Sequence, residues 1–403
     1  MKVLNHSISL LLLCSFSSLA QENQQQTLDS YISSEKKEMF DFDYQKNVQN
    51  ALMEEDSWIN PINLNYSYSK SDPYEEVQVN ENASIKIDQP IFRGGGIFYS
   101  IKHARALKKY ADYSVDIAKR KMAKDAVALL MQIRQTSLKI QKQNLQIENA
   151  KINLELKKEQ YLSGQLDSGF LDNAIIERNL AIQALYDIET SKENLISNFE
   201  TLSDLDYSKA TIPHFDLVEE ESFLQNNMST KSLEAAALRD KENRGIIRAK
   251  YLPILSLTGG YNWSKSDAKF NNFGSQEKNY YDYGFKVNIP LHINTFRDIE
   301  AASIEYLKSE IALQDKQKEM QALFDKVKQN LKNYEKKQAL SVENVDIYSK
   351  LLADAKELYR AGYKTQYDLD LLENSLEMSE IDSKIYEIDK QLELLNLYEL
   401  YTE

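Results

Sequence analysis

The chain has 403 residues, 28% of them charged, and a formal net charge of −13, a balance that argues against nucleic acid as a partner. Only eleven glycines and six prolines occur, too few for the turns of several compact domains, so the segments between turns have to be long. Three of those glycines, Gly94, Gly95 and Gly96, stand together.

At the N-terminus, Lys2 precedes a short apolar run from Ile8 to Phe16, and Ser18-Leu19-Ala20 fits a small-x-small cleavage site before Gln21. The pattern predicts an export signal over 1–20. Cys14 raises lipoprotein processing as a rival, but Leu13 holds the place where that processing wants a small residue. After cleavage at Ala20 the chain has no cysteine, so packing rather than disulfides has to hold it.

The first repeat, 21–203, opens with a helix and continues with a hairpin over 61–92. Ile62, Leu64, Tyr66 and Tyr68 alternate with polar residues, and Ile85, Ile87 and Ile91 follow on one face of the returning run. From Ile97 to Tyr161 there is no proline or glycine, which predicts a helix over 96–162 of roughly 100 Å. Ile97, Ile101, Ala104, Ala111, Val115, Ala118, Met122, Leu129, Ile140, Ile147 and Leu154 follow a seam near the 3.5 period. Gly164 supplies a left-handed cap, and a return helix is expected over 168–203.

A less regular stretch, 204–229, joins the halves, contains Pro213 and reads as a separate small layer around the middle of the rod. The second repeat, 230–403, then runs through the same order. It has a helix, a hairpin over 253–291, a long helix over 295–360, Gly362, and a return helix over 367–400. In the hairpin, Leu255, Leu257, Tyr261 and Trp263 alternate with polar residues, as do Tyr281, Tyr283, Phe285, Val287 and Ile289. Landmarks recur about 200 residues apart in the same order: "YLSG" with "YRAG", "KIDQPIF" with "KVNIPLH".

Four alternating segments of about ten residues have the pattern of transmembrane β-strands. Four strands cannot close a barrel, and open edges cannot stand in lipid. Several chains therefore have to share one barrel, and three copies would supply about twelve strands.

The passage "QPIFRGGG" into a helix, the run "YLPILSLTGGYNWSKS" and the twin hairpins at Gly164 and Gly362 together resemble the TolC-like outer-membrane factors. The resemblance covers nearly the whole chain after the signal. It implies a mainly α fold with a small transmembrane β part. A homotrimer would form a twelve-stranded barrel in the outer membrane, and its helices would form a tunnel across the periplasm. It further implies a passive exit duct that meets a periplasmic adaptor and an inner-membrane pump or ABC exporter. Adaptor contacts would fall on the tips, at Gly164, Gln165, Leu166, Gly362, Tyr363 and Lys364.

By the same resemblance Asp368, six residues after Gly362, would form a constricting acidic ring. A second ring would fall at Leu371, which is not acidic; Asp370 and Glu373 lie near it. Links that keep the tip closed would use Tyr359 and Lys364, but the matching first-repeat position holds Phe170 instead of an aspartate. From the residues alone, Asp368 also reads as a helix N-terminal acid favoured by the dipole.

His103, His214 and His292 have no ligand spacing, and no G-x-S-x-G, Walker A or H-E-x-x-H pattern is present. No enzyme activity, cofactor or metal is expected. Two rival readings are a structural or adhesive coiled-coil protein and a soluble periplasmic adaptor. The four strand-like segments disfavour the first, and the duplicated rod disfavours the second. A phosphate cradle at the three glycines would want a Lys-Ser/Thr pair, which "GGGIFYS" lacks. They read instead as a joint between barrel and tunnel.

Overall fold

The computed structural model describes residues 28–72, 77–268 and 275–402. The expected signal segment and Cys14 lie outside the described residues. Each half runs helix, strand, strand, long helix, helix. The first comprises α1 (Ser34–Glu55), β1 (Asn63–Ser71), β2 (Gln78–Arg93), α2 (Gly96–Leu162) and α3 (Ser168–Glu200). A short α4 (Glu220–Gln225) precedes the second, which comprises α5 (Met228–Ala249), β3 (Ile254–Ala268), β4 (Gln276–Asn288), α6 (Thr295–Arg360) and α7 (Gln366–Tyr398). The stretch 204–229 is thus not wholly irregular: it contains α4 and the start of α5, because Asn227 caps α5 by accepting from the Thr230 N–H.

α2 has 67 residues and α6 has 66, roughly 100 Å of helix each. Neither contains proline, and the one glycine in either is Gly96, at the first position of α2. The long helices run side by side with the shorter ones. α1 and α5 pack along the strand-proximal part of α2, α3 and α7 along its other end, and α5 and α7 also pack on α6.

The four strands form one antiparallel sheet in the order β1-β2-β3-β4, so β2 and β3 join the two repeats. Opposed residues share a face. Leu64 faces Ile85, which faces Tyr261, which faces Tyr281; Leu257 faces Phe285, and Gly259 faces Tyr283. This apolar face is uncovered: Leu64 is 73% exposed, Phe285 76% and Tyr283 85%. From Leu255 to Trp263 it extends about 27 Å along the strand. Near the turns it becomes polar, where Glu81 accepts from the Tyr66 hydroxyl and Glu277 from the Trp263 indole. The opposite face is polar, with Asn262 donating to Asp282 at 2.8 Å and Lys286 beside Asp88 at 3.4 Å.

One register expectation is corrected. Ile91 does not continue the face of Ile85 and Ile87, because a bulge lies between Pro90 and Phe92 and puts Phe92 opposite Leu255. Pro90 has no N–H to give the ladder, and an extra residue is accommodated where the ladder is broken.

The 3.5-period seam is corrected too. Of its members only Ala104 and Ile147 are buried, and Ala118 is exposed. The main core lies instead around the middle of the rod, where Ala123, Val127, Leu130, Met131 and Ile133 of α2 meet Phe199, Phe223, Phe324, Val327, Leu395 and Leu397. At that level α2 is enclosed by several elements at once, so its buried residues go round the helix and do not keep to one stripe.

Candidate functional site at the hairpin tips

The two helical hairpins have the same backbone construction. Gly164 stands at φ +75° and Gly362 at φ +82°, both with open space around the missing Cβ. At the first tip the Gly164 N–H donates to the Tyr161 carbonyl at 3.0 Å and the Gln165 N–H to the Gln160 carbonyl at 2.8 Å. At the second, the Gly362 N–H donates to the Tyr359 carbonyl at 2.9 Å and the Tyr363 N–H to the Leu358 carbonyl at 2.9 Å. Each pair is a Schellman closure, which satisfies carbonyls left over at the helix end and forces the chain to turn.

The side chains differ. At the first tip Asp167 caps α3 by accepting from the Gly169 N–H at 3.0 Å, and Leu162 and Phe170 stand exposed. At the second, Thr365 and Asp368 form a reciprocal capping box at the start of α7. Asp368 also accepts from the Lys364 ammonium at 3.3 Å, and the backbone and hydroxyl bonds from Thr365, followed by Lys364, hold its carboxyl below the usual aspartate range. It is a half-exposed, fully ionised carboxylate at neutral pH.

Asp370 accepts from the Gln366 side chain at 2.7 Å, and at two residues from Asp368 it stands on a different bearing of the helix. Glu373 reaches across the hairpin to Lys356 at 2.9 Å, and Leu369 is buried against Leu352 and Ala355. Tyr359 is 43% exposed and Tyr363 80% exposed. Lys364 finds its partner within its own repeat. Among the described residues, no hydrogen bond joins Tyr359 or Lys364 to the first tip. Within the chain the structure therefore pairs Lys364 with Asp368, holds Asp370 separately against Gln366, and leaves Gln165, Leu166 and Tyr363 as separate tip residues. Sequence reasoning passed over Thr365, although "TQYD" is the spacing of a capping box.

No helix among the described residues is long and apolar enough to cross a membrane, and none of their His, Cys, Asp and Glu side chains form a group of three placed to hold a metal. The chain's outward features are the bare apolar sheet face at one end and the glycine-turned tips at the other.

Residues 221–400 match the sequence model of the family described as "Outer membrane efflux protein". Comparison with curated protein sequences finds no match. Among solved structures, the outer membrane protein VceC of Vibrio cholerae is similar with a TM-score of 0.71 at 13% identity, over 93% of this chain and 96% of that one. CusC, described in terms of transmembrane channel formation, gives 0.71 at 15% identity over 94% and 92%. The CmeC outer membrane channel of Campylobacter jejuni gives 0.69 at 13% identity over 93% and 85%. Residues 221–400 are thus similar to the outer membrane efflux protein family, and over nearly its whole length the chain has the fold of these outer-membrane proteins.

Proposed function

We propose that three copies of this chain form the outer-membrane channel of a tripartite efflux or secretion system, a passive exit duct across outer membrane and periplasm. The observation that carries this reading is the sheet. It has one exposed apolar face, one polar face, and two edges, β1 and β4, with no partner strand among the described residues. In lipid every backbone group on those edges needs a partner, and pairing β1 with β4 of the next copy supplies it. The family match and the shared fold support the same reading.

The tips lie roughly 100 Å from the sheet, at the periplasmic end of the duct. There Gly164, Gln165, Leu166, Gly362, Tyr363 and Lys364 are the surface for a periplasmic adaptor, with an inner-membrane pump or ABC exporter beyond it. Asp368, with Asp370, Tyr359 and Lys364 around it, forms the acidic constriction when three copies meet. A structural or adhesive role would leave the apolar sheet face with no occupant.

The test is extraction from outer-membrane fractions in detergent, gel mobility with and without heating, and conductance in planar bilayers. A trimer that dissociates on heating and conducts is expected. A heat-insensitive monomer recovered with soluble periplasmic protein would sink the proposal.

A further inference from the structure

We infer that a cavity at the joint between sheet and rod binds the phosphate of an anionic phospholipid from the leaflet facing the periplasm. The inference rests on the duct reading and adds a specific lipid partner and the residues that hold it. The cavity, about 520 Å³, opens between the first turns of α2 and the last turns of α5. Lys102, Lys241, Arg244 and Arg248 line it against a single carboxylate, Glu242. In a chain of net charge −13 this local sign is the reverse of the whole.

Those four cations are also unspent. Among the described residues none has a carboxylate within 4.0 Å, whereas the nearby Arg105 and Arg239 each hold one at 2.8 Å. Lys102 sits over the Phe98 ring at 4.4 Å and Arg244 over the Tyr306 ring at 4.5 Å. A ring beneath a cation positions it without occupying its N–H donors. Beside the lining residue Gly94, the Arg93 Nε is buried with no acceptor.

Two observations place the cavity on the outside of the rod, at headgroup depth. On α5, Glu234, Lys241 and Arg248 recur every seven residues and so share one face. Glu234 lines a different cavity, formed with Glu219, Glu220 and Glu221 at α4. The α4 layer has to lie outside the duct, since inside it would block it. The basic stripe therefore faces outward as well. At the same level Leu291, Ile293 and Phe296 are at least 83% exposed, which marks how far the apolar belt descends. Lys102 is six residues into α2, roughly 9 Å along the axis, and a helical side chain leans back toward the helix start, here the membrane. Long basic side chains just below an apolar belt meet the headgroup layer. Two guanidinium groups suit a phosphate, and the excess of cations disfavours a headgroup that brings its own ammonium.

The test uses the purified trimer, stripped of lipid in detergent and then offered equal phosphatidylglycerol and phosphatidylethanolamine, with bound lipid counted by native mass spectrometry. Trimer mobility and conductance are measured first, so that failure of the duct reading is seen there and not in the lipid count. Phosphatidylglycerol should be retained in preference. Each surface cation contributes roughly five-fold, so K241Q/R248Q should retain roughly twenty-five-fold less while still trimeric and conducting. Equal retention of the two lipids, or unchanged retention in the double variant, overturns the inference. Release of the lipid by tens of millimolar inorganic phosphate would reassign the site to free anions and overturn it too.

Discussion

Asp368 and Thr365 cap α7 reciprocally: Asp368 Oδ2 accepts the Thr365 backbone N–H at 2.9 Å, while the Asp368 N–H donates to Thr365 Oγ1 at 3.3 Å. Asp368 is therefore a structural residue before it is anything else. One oxygen is engaged by Thr365, and the other is 3.3 Å from the Lys364 ammonium. Its capping bonds fix the carboxylate at the start of the helix, which is what a constriction made from three copies would require.

Capping and gating separate by mutation. Thr365→Ala removes the hydroxyl bonds of the cap but keeps the charge, its backbone N–H bond and its Lys364 contact, and should cost about 1 kcal/mol of stability while conductance and cation block change little. Asp368→Asn keeps an acceptor but removes the charge, and should raise single-channel conductance and weaken block by multivalent cations. If the two variants behave alike in planar bilayers, Asp368 acts only as a cap.

The charge on Asp368 also predicts a pH dependence. Its folded pKa is depressed, so the stability it contributes is complete above the ordinary aspartate range and is lost as pH falls through the lower folded value. Cation block due to this carboxylate should therefore be constant from neutral pH down through the ordinary aspartate range of about 4, and weaken only below it. Block titrating near neutrality, read from conductance against pH, would point to a different group.

The two left-handed glycines of the joint should respond unequally. A Cβ on Gly94, at φ +55°, would stand 2.4 Å from the Leu252 Cβ, whereas one on Gly95, at φ +86°, meets nothing nearer than 3.6 Å. Gly95→Asn should be tolerated, since asparagine enters the left-handed region at small cost. Gly94→Ala combines strain with overlap, about 2–4 kcal/mol, and should reduce the yield of heat-dissociable trimer.

Gly245 is where α5 lies against α2. An added Cβ would come 2.5 Å from the Tyr99 ring. Replacement by alanine improves helix propensity by about 1 kcal/mol, but overpacking costs about 1–3 kcal/mol. Gly245→Ala should therefore be destabilising in thermal denaturation, against the usual direction for an interior helical glycine.

Asp389 offers a change of the opposite sign. Burial raises its pKa although Gln135 donates to it at 2.6 Å. A carboxyl that binds its proton more tightly when folded stabilises the fold at low pH, and stability falls as pH rises through the raised value. Asp389→Asn keeps an acceptor for Gln135 and should raise the melting temperature at neutral pH. The gain should vanish below the ordinary aspartate range.

Local chemistry and periodicity, present in the residues themselves, determined a good deal of this protein. Helices without proline, glycine caps at Gly164 and Gly362, and strands alternating as Tyr281, Tyr283 and Phe285 do are each dictated within a few residues. Duplication then repeats them. The tertiary structure alone decided the rest. The bulge at Pro90 moves Phe92 to the apolar face, since register depends on the partner strand as well as on the pattern. The core of α2 goes round the helix because several neighbours enclose it, and no heptad count contains those neighbours. Lys364 pairs within its own turn, and Lys102, Lys241, Arg244 and Arg248 converge from two helices more than a hundred residues apart in sequence. Spacing along a chain determines which residues share a face; only packing decides what that face meets.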